Sequence, residues 1–288
     1  MLRLLGILRS QTFSPAQHAK NDRLILELTA EELRRAGCSV ELCTEEEVAQ
    51  GRTIDAPVVF SMCQGVRANE ALLEVERRGV LIINSPRAVL GCHRQSLGRL
   101  NGRGGDLLAP LSLVSVGEDR LLPSLSGSWW VKRGDVHSTG PGDVVRVESV
   151  EELAGALHEL RLREVKWAVV QPHIEGTVVK FYGVAGTPFF RYYTEEDFQV
   201  APLAMEAHRA GIERLARRVG LVVYGGDAVL DADGRVQVID LNDWPSFAYF
   251  RTAAARVIGQ RILAAALAHV GEQRQARPAV GPGSTVSS

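Results

Sequence analysis

The chain has 288 residues, 45% of them hydrophobic and 23% charged, with 33 Lys and Arg against 34 Asp and Glu for a formal net charge of −1. That length supports a sizeable core and about two domains, and the balanced charge offers no basic face of the kind a nucleic-acid partner requires. No apolar run reaches the roughly 18 residues of a membrane-spanning helix, and Cys38, Cys43, Cys63 and Cys92 lack the paired spacing of a zinc site or disulfide framework, so a reducing cytoplasm is the expected setting.

In chain order, the opening MLRLLGIL is too short for a secretory segment and meets Arg9, so residues 4–8 read as a strand. Residues 21–36 follow as a helix whose Leu24, Ile25, Leu28 and Ala36 share one arc, closed by Gly37. Short apolar strands at 39–43 and 58–62, a helix at 69–78 stopped by Gly79 and a strand at 80–84 continue the alternation. Alternating strands and helices call for parallel pairing. The run NGRGG at 101–105 lacks phosphate-loop spacing and a preceding strand, so it reads as a linker between a first domain, 1–106, and a second, 107–270.

A strand ending at Lys132 leads into residues 134–143, which hold Gly134, Gly140, Gly142, Ser138 and Thr139, and a new strand starts at Val144. Glycines let backbone N–H groups approach an anion, hydroxyls add donors, and Lys132 adds a point charge. A solvated hairpin turn is the plain alternative. In the strand 178–184, alternation puts Lys180 with Val178 and Tyr182, opposite Val179 and Phe181. Arg191 lies in the next strand, and residues 205–219 form a helix ended by Gly220.

Gly225 to Leu230 reads as a strand, Asp231-Ala232-Asp233-Gly234 as a tight turn, and Val236 onward as its antiparallel partner. Asp240 and Asn242, at i and i+2, share one strand face, and the hairpin brings Asp227 beside them. Clustered carboxylates raise one another's pKa unless a cation lies between them, so this trio of oxygen donors implies a small divalent metal. A last helix spans 252–270, and the Gly-, Pro- and Ser-rich residues 271–288 are expected to be disordered.

In their order and spacing, SWWVKRGDVHSTGPGDVVRV, VVQPHIEGTVVKFYGVAG and GGDAVLDADGRVQVIDLNDWPSF resemble the ATP-grasp superfamily of magnesium-ATP enzymes, over about 88–270. The resemblance implies an α/β and α+β chain: a small N-terminal parallel-sheet domain, then subdomains 107–170 and 171–270 that sandwich ATP. It implies ATP with magnesium, manganese being an alternative, held by Asp227, Asp240 and Asn242. Lys132 would contact phosphate, and so would Arg94, which stands where relatives commonly carry Lys; His137 and Ser138 belong to the same phosphate loop. The adenine pocket would lie at 169–176, with Gln171, His173 and Ile174 at the base and Glu175 on the ribose. Because Pro172 lacks an N–H, the N–H of His173 or the carbonyl of Gln171 would read adenine. Lys132, Lys180 and Arg191 form the expected catalytic set.

Most members are ligases, in which a carboxylate attacks the γ-phosphate and an amine or thiol displaces phosphate from the acylphosphate. The chain is also locally similar to inositol tris/tetrakisphosphate kinases, through His137 five residues after Lys132, Arg94, and VIDLN before an aromatic residue and Pro245. A hydroxyl kinase is therefore the alternative, and a non-catalytic ATP-binding module a third. The discriminant is how many of Arg9, Arg87, Arg133, His137, Lys180 and Arg191 face the small-molecule acceptor. The turn Trp244-Pro245-Ser246-Phe247 borders that acceptor or packs as an aromatic anchor, and a homodimer is left open.

Overall fold

The computed structural model describes residues 1–14, 16–100, 107–117, 127–136, 140–194 and 202–276. Strands β1 (Arg3–Leu8), β2 (Ser39–Thr44), β3 (Val58–Ser61) and β4 (Leu81–Ile83) form a parallel sheet in the order β2-β1-β3-β4. Helices α1 (Ala16–Arg35), α2 (Glu45–Ala49) and α3 (Val66–Arg77) connect them. Leu4 and Leu8 enter one core and Leu5 and Ile7 another, which is why β1 is a continuous apolar run: both faces of the sheet are covered. Two helices begin earlier than the 3.6-residue pattern predicts. The first turns of α1 carry polar residues such as Asp22, so the apolar stripe starts only at Leu24, and Asn69, the expected start of α3, instead turns its amide back to the carbonyls of Gly65 and Cys63.

After α4 (Pro86–Cys92) and α5 (Arg94–Leu100) come β5 (Ser112–Ser115), β6 (Trp129–Arg133), β7 (Val144–Val147), α6 (Val150–Leu162) and β8 (Trp167–Pro172). These strands form an antiparallel sheet, β5-β8-β6-β7, with its own core of Val131, Val147, Leu153, Leu160 and Val170. Sequence reasoning left α6 unassigned, although Ser149 caps it through the Glu152 N–H and two glutamates open its first turn.

The third sheet holds β9 (Thr177–Val184), β10 (Phe190–Tyr193), β11 (Val223–Leu230) and β12 (Val236–Asp243), antiparallel in the order β10-β9-β11-β12. Helices α7 (Pro202–Val219) and α8 (Arg251–Ala276) complete the chain. Trp244, Phe247, Tyr182 and Val184 share one core with Leu4, Phe60, Ile258 and Ile262, so the parallel sheet and the third sheet are packed together. The expected boundary at 101–105 lies outside the described residues. The expected disorder after residue 270 is corrected for 271–276: α8 continues to Ala276, and Gln273 donates to the Gly79 carbonyl at 2.8 Å. Extending a formed helix adds a backbone bond per residue without a new nucleation cost, which outweighs the polar composition there. Residues 277–288 lie outside the description, and among the described residues no helix is long and apolar enough to cross a membrane.

One side chain clasps the two packed sheets. Buried Asn84, just past β4, donates to the Val223 carbonyl at 2.7 Å and accepts from the N–H groups of Val222 and Val223 at 2.8 and 2.9 Å. Asn84→Ala should lower stability by about 3 kcal/mol, because three buried backbone groups lose their partner. Urea unfolding should show a lower midpoint with an unchanged slope.

Candidate active site

A cleft of about 620 Å³ opens between the second and third sheets and reaches the first sheet. On its floor β11 and β12 pair so that Asp227 faces Asp240 and Gly225 faces Asn242. Asp227, Asp240 and Asn242 all line the cleft while Leu241 is buried in the core behind, the placement that strand alternation predicts. A register shift follows Asp227, and such a bulge re-aims side chains locally. The glycine at 226 lets the strands close: a Cβ there would come within 2.2 Å of the Asp240 carbonyl oxygen.

Three cations stand around these carboxylates. Lys180 Nζ reaches Asp227 Oδ1 at 3.1 Å. Arg94 Nη2 reaches Asp240 Oδ2 at 2.5 Å, and its Nη1 donates to the Arg133 carbonyl at 3.4 Å. Arg94 is only 6% exposed. It points inward because His93, extended at ψ 135°, breaks the chain between α4 and α5 and the Gln95 N–H bonds the Gly134 carbonyl. Lys132, equally buried, donates from Nζ to Gln171 Oε1 at 2.8 Å and to the Ile239 carbonyl at 3.0 Å. Burial pulls the Lys132 pKa below its ordinary value, with Asp240 opposing that pull. Burial likewise raises the Asp227 carboxyl, Lys180 lowers it and the charge of Asp240 raises it again. Two carboxylates and an amide on one floor are hard oxygen donors of the kind magnesium takes, with Asp227 paired here to Lys180 and Asp240 to Arg94.

The hinge departs from expectation at two positions, His173 and Glu175. The N–H of His173 is bound to the Ser128 carbonyl at 2.9 Å, so it does not offer itself to a base. The His173 ring accepts from Trp130 Nε1 at 3.1 Å and meets Glu175 Oε1 at 3.2 Å. Glu175 has a side chain 90% exposed and is not among the residues lining the cleft, so its expected ribose contact is not made from this position. Gln171, His173 and Ile174 do line the cleft, and Gln171 Nε2 is buried with no hydrogen-bond partner among the described residues. With Trp130, Val144, Pro172, Val178, Val229 and Ile239 they make its apolar end.

Arg191 is corrected as well. It sits on the edge strand β10, stacks over the Phe189 ring at 5.0 Å and donates to the Phe190 carbonyl, away from the cleft. Alternation within a strand cannot reveal the order of strands in a sheet. His137 and Ser138 lie outside the described residues.

The opposite end holds residues that sequence reasoning missed: Asp22, Gln64 and Asp243, gathered around Arg9. Arg9 donates to Asp22 Oδ2 at 3.1 Å and to the carbonyls of Met62, Asp243 and Trp244 at 3.2, 3.2 and 3.1 Å. Burial opposes its charge, but Asp22, Asp243 and Glu45 outweigh that and hold its pKa up. The one available signal was the polar Asp22 within the first turns of a helix. Pro245 and Ser246 border this end of the cleft, while Trp244 and Phe247 are buried anchors.

No family model matches the sequence, and no curated protein matches it. Solved structures do. The chain is similar to the D-alanine–D-alanine ligase of Coxiella burnetii, with a TM-score of 0.69 and 14% identity over 96% of this chain and 98% of that one. It is similar to the D-alanine–D-alanine ligase of Bacillus anthracis complexed with ATP, at 0.70 and 12% over 95% and 100%. A RimK domain protein ATP-grasp from Sphaerobacter thermophilus aligns at 0.67 and 16% over 90% and 99%. The chain has the ATP-grasp fold.

Proposed function

We propose that this chain is a magnesium-ATP-dependent carboxylate–amine ligase acting through an acylphosphate on a small-molecule or peptide substrate. The observation that carries the reading is the convergence of Asp227, Asp240 and Asn242 with Lys132, Lys180 and Arg94 on one cleft floor. Its apolar end suits a purine, and its charged middle suits a triphosphate. Magnesium, held by the two carboxylates and the amide, would neutralise phosphate oxygens. Lys132 and Lys180 would face charge that develops as a substrate carboxylate oxygen bonds the γ-phosphorus and ADP leaves, and Arg94 would add a planar fork for the same oxygens. An amine then attacks the acyl carbon and phosphate departs. Positioning and charge neutralisation are the protein's contribution.

Among the described residues, the cation distribution supports a ligase over a hydroxyl kinase. Arg87 has a side chain 71% exposed and pairs with Glu76, Arg133 is tied to Asp135 and Asp143, and Arg191 is turned away. Arg9 and Lys180 are each matched by a carboxylate. A polyphosphate acceptor would need several cations on that side.

Magnesium-ATP should stabilise the protein by about 2.7 kcal/mol at a hundredfold excess over its dissociation constant, a rise of roughly 5–10 °C in melting temperature, and EDTA should abolish most of it. Pools of amino acids, peptides and hydroxy acids should then release phosphate only when a carboxylate and a nucleophile are both present. Transfer of phosphate to inositol or sugar phosphates, with none released in the first pool, would establish the kinase instead.

A further inference from the structure

Resting on the nucleotide-binding part of the ligase reading, we infer that the Gln171 amide selects the base through the purine edge that carries N7 and the 6-substituent, so that the cleft takes a 6-oxopurine triphosphate at least as tightly as ATP. Gln171 is 2% exposed and lines the cleft at its apolar end, and its Nε2 is buried with no hydrogen-bond partner among the described residues. The orientation of this amide is fixed by its neighbour. Lys132 Nζ lies 2.8 Å from one terminal atom of the amide, and an ammonium has only N–H donors, so that atom is the oxygen and the nitrogen is the other end. Buried donors ordinarily have partners, so this one calls for an acceptor on the molecule that the cleft holds.

The other polar groups at this end are already engaged. Trp130 Nε1 donates to His173 Nδ1 at 3.1 Å, His173 Nε2 meets Glu175 Oε1 at 3.2 Å, the His173 N–H is bound to the Ser128 carbonyl, and Pro172 has no N–H. Val144, Val178, Val229 and Ile239 around them are apolar. An apolar slot with one orphaned donor suits a flat ring with an acceptor on its edge. Lys132 decides which edge that is. It bonds Gln171 and the carbonyl of Ile239, the residue before Asp240 on the floor, so Gln171 borders the part of the cleft that suits phosphate. In an anti nucleotide the five-membered ring of the purine, with N7, is the side nearest the phosphates. Adenine presents there an acceptor, N7, beside a donor, the N6 amino group, whereas a 6-oxopurine presents two acceptors, N7 and O6. An amide matches adenine by giving its oxygen to N6 and its nitrogen to N7. With the oxygen turned to Lys132, the two N–H groups of Nε2 find one acceptor on adenine and two on a 6-oxopurine.

The test is calorimetric titration of the full chain, with magnesium and without an acceptor substrate, using ATP, 7-deaza-ATP and ITP, which has the 6-oxygen without the 2-amino group of guanine. ATP should bind, 7-deaza-ATP, in which a C–H replaces N7, should bind about fivefold more weakly, the scale of one neutral hydrogen bond, and ITP should equal or exceed ATP. Gln171→Glu keeps a partner for Lys132 but puts an acceptor in place of Nε2, so it should erase the penalty on 7-deaza-ATP and turn the preference to ATP over ITP by about fivefold. Gln171→Met removes donor and acceptor together and should erase the 7-deaza penalty without creating a preference for ATP; thermal melts confirm that each variant is folded. Failure of every nucleotide to bind the parent would overturn the nucleotide reading and this inference together. With ATP bound, equal affinity for 7-deaza-ATP, weaker binding of ITP than of ATP in the parent, or parent-like selectivity in both variants would overturn the assignment of Gln171 alone.

Discussion

Lys132→Met should lower the rate of ADP formation by on the order of a hundredfold to a thousandfold, the loss that follows removal of one charge partner of a phosphoryl transition state. Methionine keeps the apolar stem, so the change removes the charge from between Gln171 and the Ile239 carbonyl with little change in volume. The lowered pKa of Lys132 means that its charge is held at a desolvation cost, so stability should change far less than turnover. Asp240→Asn should reduce turnover by a similar factor, but it also strips buried Arg94 of its anionic partner, and the melting temperature should fall with it. Steady-state rates with thermal melts separate the two effects. If both variants fold and turn over like the parent, these residues are not the machinery of the reaction.

Gly226→Ala should be among the most damaging single methyls in the described residues. Its Cβ would meet the Asp240 carbonyl oxygen at 2.2 Å and the Phe181 ring at 2.7 Å, both deep in the third sheet. Neither neighbour is the loose end of a flexible side chain, so β11 and β12 must separate or shift. The cost should be about 3 kcal/mol or more, or roughly 6–12 °C in melting temperature. Nucleotide binding should weaken as well, because the displaced strand carries Asp240 and Asn242. Gly234→Ala in the neighbouring turn provides the comparison: at φ +77° it strains the backbone but meets no atom within 4 Å. A Gly226→Ala protein as stable as the parent would mean that the sheet accommodates the methyl by a shift too small to matter.

The cleft floor was legible because its information is local. Alternation along β12, the turn at 231–234 and the run of β11 bring Asp227, Asp240 and Asn242 together within sixteen residues of chain, counted from Asp227 to Asn242 inclusive. The parallel sheet was legible for the same reason, each apolar run being short and bounded. The Arg9 end was not. Its contact with the Asp243 carbonyl joins residues 234 positions apart, and no periodicity encodes such a meeting. Arg94 reads as an ordinary helical arginine until the break at His93 turns it inward. Arg191 and Glu175 failed for a related reason: spacing along a strand or hinge says which side a residue takes, not what that side faces once three sheets are assembled.

The separate core beneath β5-β8-β6-β7 has a consequence for cooperativity. The first and third sheets share one apolar cluster and the Asn84 clasp, whereas the second is joined to them through α5, which packs on β5 and β8 and sends Leu97 into the core of the third sheet, and by polar bonds among which are Lys132 to Ile239, Gln95 to Gly134 and Arg94 to Arg133. Native-state hydrogen exchange should therefore resolve two opening units, with the amides of β6, β7 and β8 exchanging at a lower free energy than those of β1, β3 and β11. The apolar end of the cleft is divided between the two, Trp130 and Val144 on one side and Val178, Val229 and Ile239 on the other. A nucleotide seated there would slow exchange chiefly in the less stable unit, welding the protein into a single cooperative body for the lifetime of the complex.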